Sequence, residues 1–121
     1  MKRSSVHSLE PAIFIVDDDP AVRDSLQQLL EFIGFTVEAY GSGESFLEQA
    51  SLPDRACVLL DLKLPGDELE DWMRQITAAG RDVKVIGTGA SEVSGELRRL
   101  SIDCVLPKPW RIIELLDALA A

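Results

Sequence analysis

The sequence predicts an open α/β domain: a five-stranded parallel sheet with helices on both faces. Two observations carry that expectation. Short apolar runs alternate with amphipathic stretches at helical spacing along the chain. Four of those runs also end in a reactive polar residue. Ala12-Ile13-Phe14-Ile15-Val16 ends in Asp17-Asp18-Asp19, and Cys57-Val58-Leu59-Leu60 ends in Asp61. Val83-Lys84-Val85-Ile86-Gly87 ends in Thr88, and Cys104-Val105-Leu106-Pro107 ends in Lys108. Near-continuous apolar runs suit strands covered on both faces, as in a parallel sheet. Ligands and chemistry in such sheets collect at the carboxyl ends of the strands. Acids, a hydroxyl and an ammonium therefore converge on one edge, a set suited to phosphoryl chemistry.

The elements follow in order. Residues 1–10 are polar and read as a flexible leader, which leaves one domain over 11–121. The first strand is expected at 12–16. Asp19 then suits a helix N-cap, Pro20 the first helical position and Gly34 the stop. Between them Val22, Leu26, Leu29, Leu30 and Ile33 repeat at helical spacing. Residues 35–39 read as a second, more exposed strand, and 42–50 as a short helix with Phe46 and Leu47 inward. The third strand is expected at 56–60. After Asp61, the turn Leu64-Pro65-Gly66 leads into a helix carrying Leu69, Trp72, Met73 and Ile76. The fourth strand is expected at 83–86, and a weaker helix at 92–100, where Gly95 lowers the propensity. The fifth strand is expected at 103–106, and a closing helix at 109–121 has a wide apolar face. Strand and helix in strict alternation imply right-handed crossovers.

Composition narrows the classes. A chain of 121 residues supports one domain, and 46% hydrophobic residues are enough for a core. The net charge of −9, from 21 acidic against 12 basic residues, repels nucleic-acid phosphates, so no direct nucleic-acid contact is expected. No apolar stretch is long enough to cross a bilayer, and residues 1–10 contain no signal-peptide core. Cys57 and Cys104 lie in expected buried strands and read as reduced packing residues of a cytoplasmic protein. Trp72 and Trp110 read as core or helix-surface aromatics.

The reactive residues can be weighed one at a time. Three adjacent carboxylates repel one another unless a cation or solvent relieves them. Magnesium takes oxygen ligands and needs only one or two protein carboxylates. The triplet supports two readings, a cation site or an N-cap with a solvated loop. Asp61 follows four apolar residues, where an unpaired charge is costly. Beside a divalent cation it stays ionised and can attack phosphorus to form an acyl phosphate. Lys108 offers a point charge to a phosphoryl oxygen, and Thr88 offers one hydroxyl hydrogen bond.

The strings IFIVDDDPAVRDSL, VLLDLKLPG, VIGTGAS and LPKPW, in this order, resemble the receiver domain of response regulators in two-component signalling. The likeness covers nearly all of residues 11–120 and is nearest in wording to the nitrogen-fixation and LuxR-type transcriptional branch. It implies the (βα)5 flavodoxin-like architecture of chemotaxis receivers. It also implies that Asp61 accepts a phosphoryl group from a phosphohistidine on a sensor histidine kinase. By the same resemblance Asp18 ligates Mg2+ directly and Asp17 largely through water, with Asp61 and the Lys63 backbone carbonyl completing the protein ligands. Thr88 would close on the phosphoryl group and Lys108 would pair with it. The domain would be a phospho-acceptor that catalyses only its own phosphorylation and dephosphorylation. Lys63 and Ala90 would border the phosphoryl group and tune the access of water. The resemblance allows either a single-domain receiver or a regulatory domain cut from a C-terminal DNA-binding output domain absent from this chain, and homodimerisation is a habit of the family.

Three departures bear on output. Val105 stands where receivers usually carry an aromatic that moves inward as the threonine closes. The stretch from Thr88 to Lys108 is slightly short, and Leu69 replaces an expected glycine within an acidic run. These spare the pocket and alter the face that reads it. Two other readings compete. A receiver-like interaction module would signal without phosphate, against the intact acids, Thr88 and Lys108. A haloacid-dehalogenase-type phosphatase would use Asp17-Asp18-Asp19 as its Asp-x-Asp, and would leave Asp61 without a role.

Overall fold

The computed structural model describes residues 9–63, 66–79, 82–89, 102, 104–106 and 110–120. Its elements are β1 (Leu9–Val16), α1 (Pro20–Ile33), β2 (Phe35–Tyr40), α2 (Gly43–Gln49) and β3 (Arg55–Asp61). They continue with α3 (Gly66–Ala79), β4 (Asp82–Thr88), β5 (Cys104–Leu106) and α4 (Ile112–Ala120). All five strands join one sheet in the order β2-β1-β3-β4-β5, every pair parallel. The helix expected at 92–100 lies outside the described residues, as do Lys108, Ala90 and residues 1–8.

The interior strands are those whose sequence is apolar on both sides of the pleat, as burial on two faces requires. Residues 56–61 of β3 are all buried. Alternate residues feed two cores. Ile13, Ile15, Cys57, Leu59 and Ile86 pack under α1 and α4 with Leu26, Leu30, Leu115 and Leu119. Phe14, Val16, Val58, Leu60 and Val85 pack under α2 and α3 with Phe46, Trp72, Met73 and Ile76. Trp110 flanks the first core, so both tryptophans serve packing. Gly43 has no room for a side chain, because an added Cβ would sit inside the Trp72 indole.

Helix limits follow the capping residues. The Asp19 carboxylate accepts from the backbone N–H groups of Ala21 (2.9 Å) and Val22 (3.5 Å), and Pro20 opens the helix. Gly34, at φ 127°, ends it in a conformation that side chains rarely adopt, and its N–H donates to the Leu30 and Glu31 carbonyls. The last helix begins later than expected, at Ile112. Glu114 reaches back to cap its start, its carboxylate accepting the Arg111 N–H (2.7 Å), as the acidic half of a capping box does.

Strands run longer than their apolar runs. β1 begins at Leu9 because Leu9 N–H donates to the Gly34 carbonyl (2.9 Å) and pairs with Phe35, before a register shift ahead of Ile13. β3 and β4 extend through Asp61 and Thr88, so these residues are the last rungs of paired strands. Cys57 and Cys104 form no disulfide with each other and sit on strands that β4 separates.

Candidate functional site

Three carboxylates meet at the carboxyl edge of β1 and β3. Val16 pairs with Leu60, so the residues that follow, Asp17 and Asp61, emerge side by side. Asp17, Asp18 and Asp61 each bring a carboxylate oxygen to within 4.8 Å of the others. Asp18 is exposed, whereas Asp17 and Asp61 are only 3% and 1% exposed, which places two like charges in the interior. Such charges need partners. Asp17 Oδ1 accepts the Asp19 N–H (2.9 Å), and Arg23 Nη1 donates to the Asp17 carbonyl oxygen (2.9 Å). Asp19 instead caps α1. The acidic triplet thus divides, two residues facing the cluster and one ending a helix.

Asp61 is the least relieved of the three. Its Oδ1 accepts the Lys63 N–H at 3.0 Å. Its Oδ2 is buried and has no hydrogen-bond partner among the described residues. The Lys63 ammonium lies 3.8 Å from that oxygen, too far for a hydrogen bond and near enough for charge attraction. A buried unpaired carboxylate oxygen in a native fold needs an explanation. The donors gathered here are all carboxylate oxygens, which suits a hard cation such as Mg2+.

Thr88 lies next to Asp61 across the β3–β4 ladder and is 4% exposed. Leu62 N–H donates to the Thr88 carbonyl (2.9 Å), tying the loop after Asp61 to the end of β4. Gly89, at φ 94°, turns the chain directly after Thr88, and its N–H donates to the Leu106 carbonyl (3.1 Å). Val105 is half-buried and pairs with Gly87. Lys108, the remaining expected site residue, falls outside the described residues.

Tyr40 ends β2, and its carbonyl accepts the Asp17 N–H (3.1 Å). Burial pushes its phenol up to about 12, helped by the hydrogen bond it donates to Glu38 and by that carboxylate's charge. It remains a neutral donor at the flank of the site. Sequence reasoning missed Arg23 and Leu62. Arg23 carries a faint signal, a basic residue in the first helical turn after an acidic triplet. Leu62 has none, because its role depends on what β4 leaves open beside it.

A 2-1-3-4-5 parallel sheet defines the flavodoxin-like doubly wound class, and here acids gather at its carboxyl edge. The chain belongs to the response regulator receiver domain family, whose model matches residues 13–120. It is 34% identical over 118 residues to nodulation protein W of Bradyrhizobium diazoefficiens, covering 94% of this chain and 52% of that protein. It is 31% identical over 112 residues to the transcriptional regulatory protein FixJ of Azorhizobium caulinodans, covering 90% of this chain and 53% of that protein. Among solved structures it resembles a response regulator receiver protein from Burkholderia phymatum. That match has a TM-score of 0.74 and 27% identity, covering 92% of this chain and 93% of the other. The chain spans about half the length of the curated relatives it matches.

Proposed function

We propose that the chain is a phosphorylation-dependent receiver in which Asp61 accepts a phosphoryl group from a phosphohistidine of a sensor histidine kinase. The observation that carries this reading is Asp61 Oδ2, buried and without a hydrogen-bond partner among the described residues, in a cluster of three carboxylates. Asp18 and Asp61 would hold Mg2+ directly and Asp17 largely through water, with the Lys63 carbonyl as a further ligand. When bound, the metal neutralises charge on the nucleophile and on the group in transfer.

The chain's own residues do the rest. An Asp61 carboxylate oxygen attacks phosphorus, the P–N bond to the kinase imidazole breaks, and its electron pair returns to that nitrogen. The Thr88 hydroxyl, next to Asp61 on the adjacent strand, donates to a phosphoryl oxygen of the product. Lys108 pairs with the same group. Slow hydrolysis of the acyl phosphate resets the domain, which makes it a signalling phospho-acceptor. We place this receiver in the cytoplasm, its fold beginning with β1 at Leu9 rather than at residue 11, upstream of a DNA-binding output domain, with a homodimer as the signalling form. Val105 makes the output face atypical.

The test uses acetyl phosphate with Mg2+ and intact-protein mass measurement. Wild type should gain one phosphoryl group in a hydroxylamine-labile bond, and Asp61→Ala should gain none. Undiminished labelling of Asp61→Ala would sink the assignment.

A further inference from the structure

We propose that the Lys63 side chain is a tethered counter-ion that competes with the divalent cation for Asp61 Oδ2. Metal binding then has to displace it. The inference rests on the metal site proposed above and concerns the one part of Lys63 which that site does not use.

Lys63 brackets the Asp61 carboxylate. Its N–H holds Oδ1 at 3.0 Å, and its ammonium stands 3.8 Å from Oδ2. No hydrogen bond competes for Oδ2 among the described residues, so the ammonium and an incoming cation would share one anionic target. The two partners differ in freedom. The Asp61 side chain is 0% exposed and fixed at the end of β3, while that of Lys63 is 62% exposed on a flexible stem. The ammonium can therefore swing into water when a divalent ion arrives, and the carboxylate cannot follow it. Two cations drawn to one oxygen also repel each other across a few ångströms. In the metal-free protein Lys63 relieves part of the repulsion among Asp17, Asp18 and Asp61. By linkage, whatever it adds to metal-free stability it subtracts from metal affinity.

The experiment compares wild type, Lys63→Gln, Lys63→Arg and Asp61→Asn after removal of metal. Mg2+ affinity is read by calorimetry and Mn2+ affinity by electron paramagnetic resonance. Lys63→Gln should bind both ions roughly 1.5- to fivefold more tightly, the range of a half-exposed ion pair. Lys63→Arg should stay near wild type, and Asp61→Asn should lose the site. Without metal, Lys63→Gln should melt below wild type, the gap closing at saturating Mg2+. Carbon relaxation at Lys63 Cε should show the side chain gaining mobility as Mg2+ saturates. Equal or weaker binding by Lys63→Gln, with wild type still binding, overturns the proposal. So does a Lys63 Cε signal unmoved by Mg2+, which would reduce the effect to distant repulsion. If neither protein binds the ions, the metal-site reading falls and takes this proposal with it.

Discussion

Gly87 leaves a space that Leu62 fills. A Cβ added at Gly87 would lie 2.5 Å from Leu62 Cδ1 and 2.8 Å from Leu62 Cγ, closer than packed carbons approach. Leu62 directly follows Asp61, and its N–H is held by the Thr88 carbonyl. Gly87→Ala should therefore displace the loop that carries the Lys63 N–H. We expect a loss of about 1–3 kcal/mol in urea unfolding, the usual range for overpacking, together with slower phosphorylation. Leu62→Ala in the same chain should restore part of both, and a strictly additive double mutant would refute the contact. Tyr40 supports a second prediction at this scale, because it is the chain's single tyrosine. Tyrosinate absorbance should titrate near 12 in the folded protein, against the ordinary 10.0. The folded state keeps a proton that the unfolded chain has lost. That increment of stability is complete below pH 10.0 and disappears as pH rises to about 12. Tyr40→Phe should flatten the decline over that interval. Neither residue was legible in the sequence, because each takes its role from a side chain or a strand edge placed by the fold.

The helix ends test how far local chemistry decides an element. Asp19 and Gly34 bound α1 where the sequence expects, since a cap needs only residues next to one another in the chain. Asp19→Ala should cost about 0.5–2 kcal/mol in urea unfolding, and Asp19→Ser should recover most of it by keeping an acceptor. Strand ends were less legible. The Leu9 extension of β1 depends on the Gly34 carbonyl across the sheet edge, and no property of Glu10 or Pro11 announces it. The start of α4 at Ile112 depends on the Arg111–Glu114 cap, which Pro109 obscures in the sequence. Lys84 makes a further link between elements. Its ammonium donates to the Ala118 carbonyl (3.0 Å), near the end of a helix that has no basic residue in its last turn. Lys84→Met keeps the stem and removes the charge. It should lower stability by about 1 kcal/mol and speed amide exchange in α4 before other elements, the sign of a loosened last helix.

At the level of the molecule, the candidate site was legible as a place because a parallel sheet gathers its strand ends on one edge, whatever the side chains between them. The structure places Asp17, Asp18 and Asp61 near one another at that edge, with Thr88 beside Asp61. Local capping chemistry marked Asp19 as the residue that starts α1, but nothing in the sequence revealed that one Asp61 oxygen is left without a hydrogen bond among the described residues. That depends on side-chain direction at the point where the strand ends. The buried acids also sit within a chain of net charge −9, so any added salt should stabilise it by screening. A specific cation site requires more than screening. At 100 times its dissociation constant, Mg2+ should add about 2.7 kcal/mol to unfolding stability beyond sodium chloride of equal ionic strength. Asp61→Asn removes a buried like charge from beside Asp17. Its metal-free form should therefore melt above metal-free wild type and show no Mg2+-specific increment. Equal gains from Mg2+ and matched salt, in both proteins, would reduce the cluster to an acidic patch. An increment confined to wild type would tie the strain of the metal-free carboxylates to the cation that relieves it.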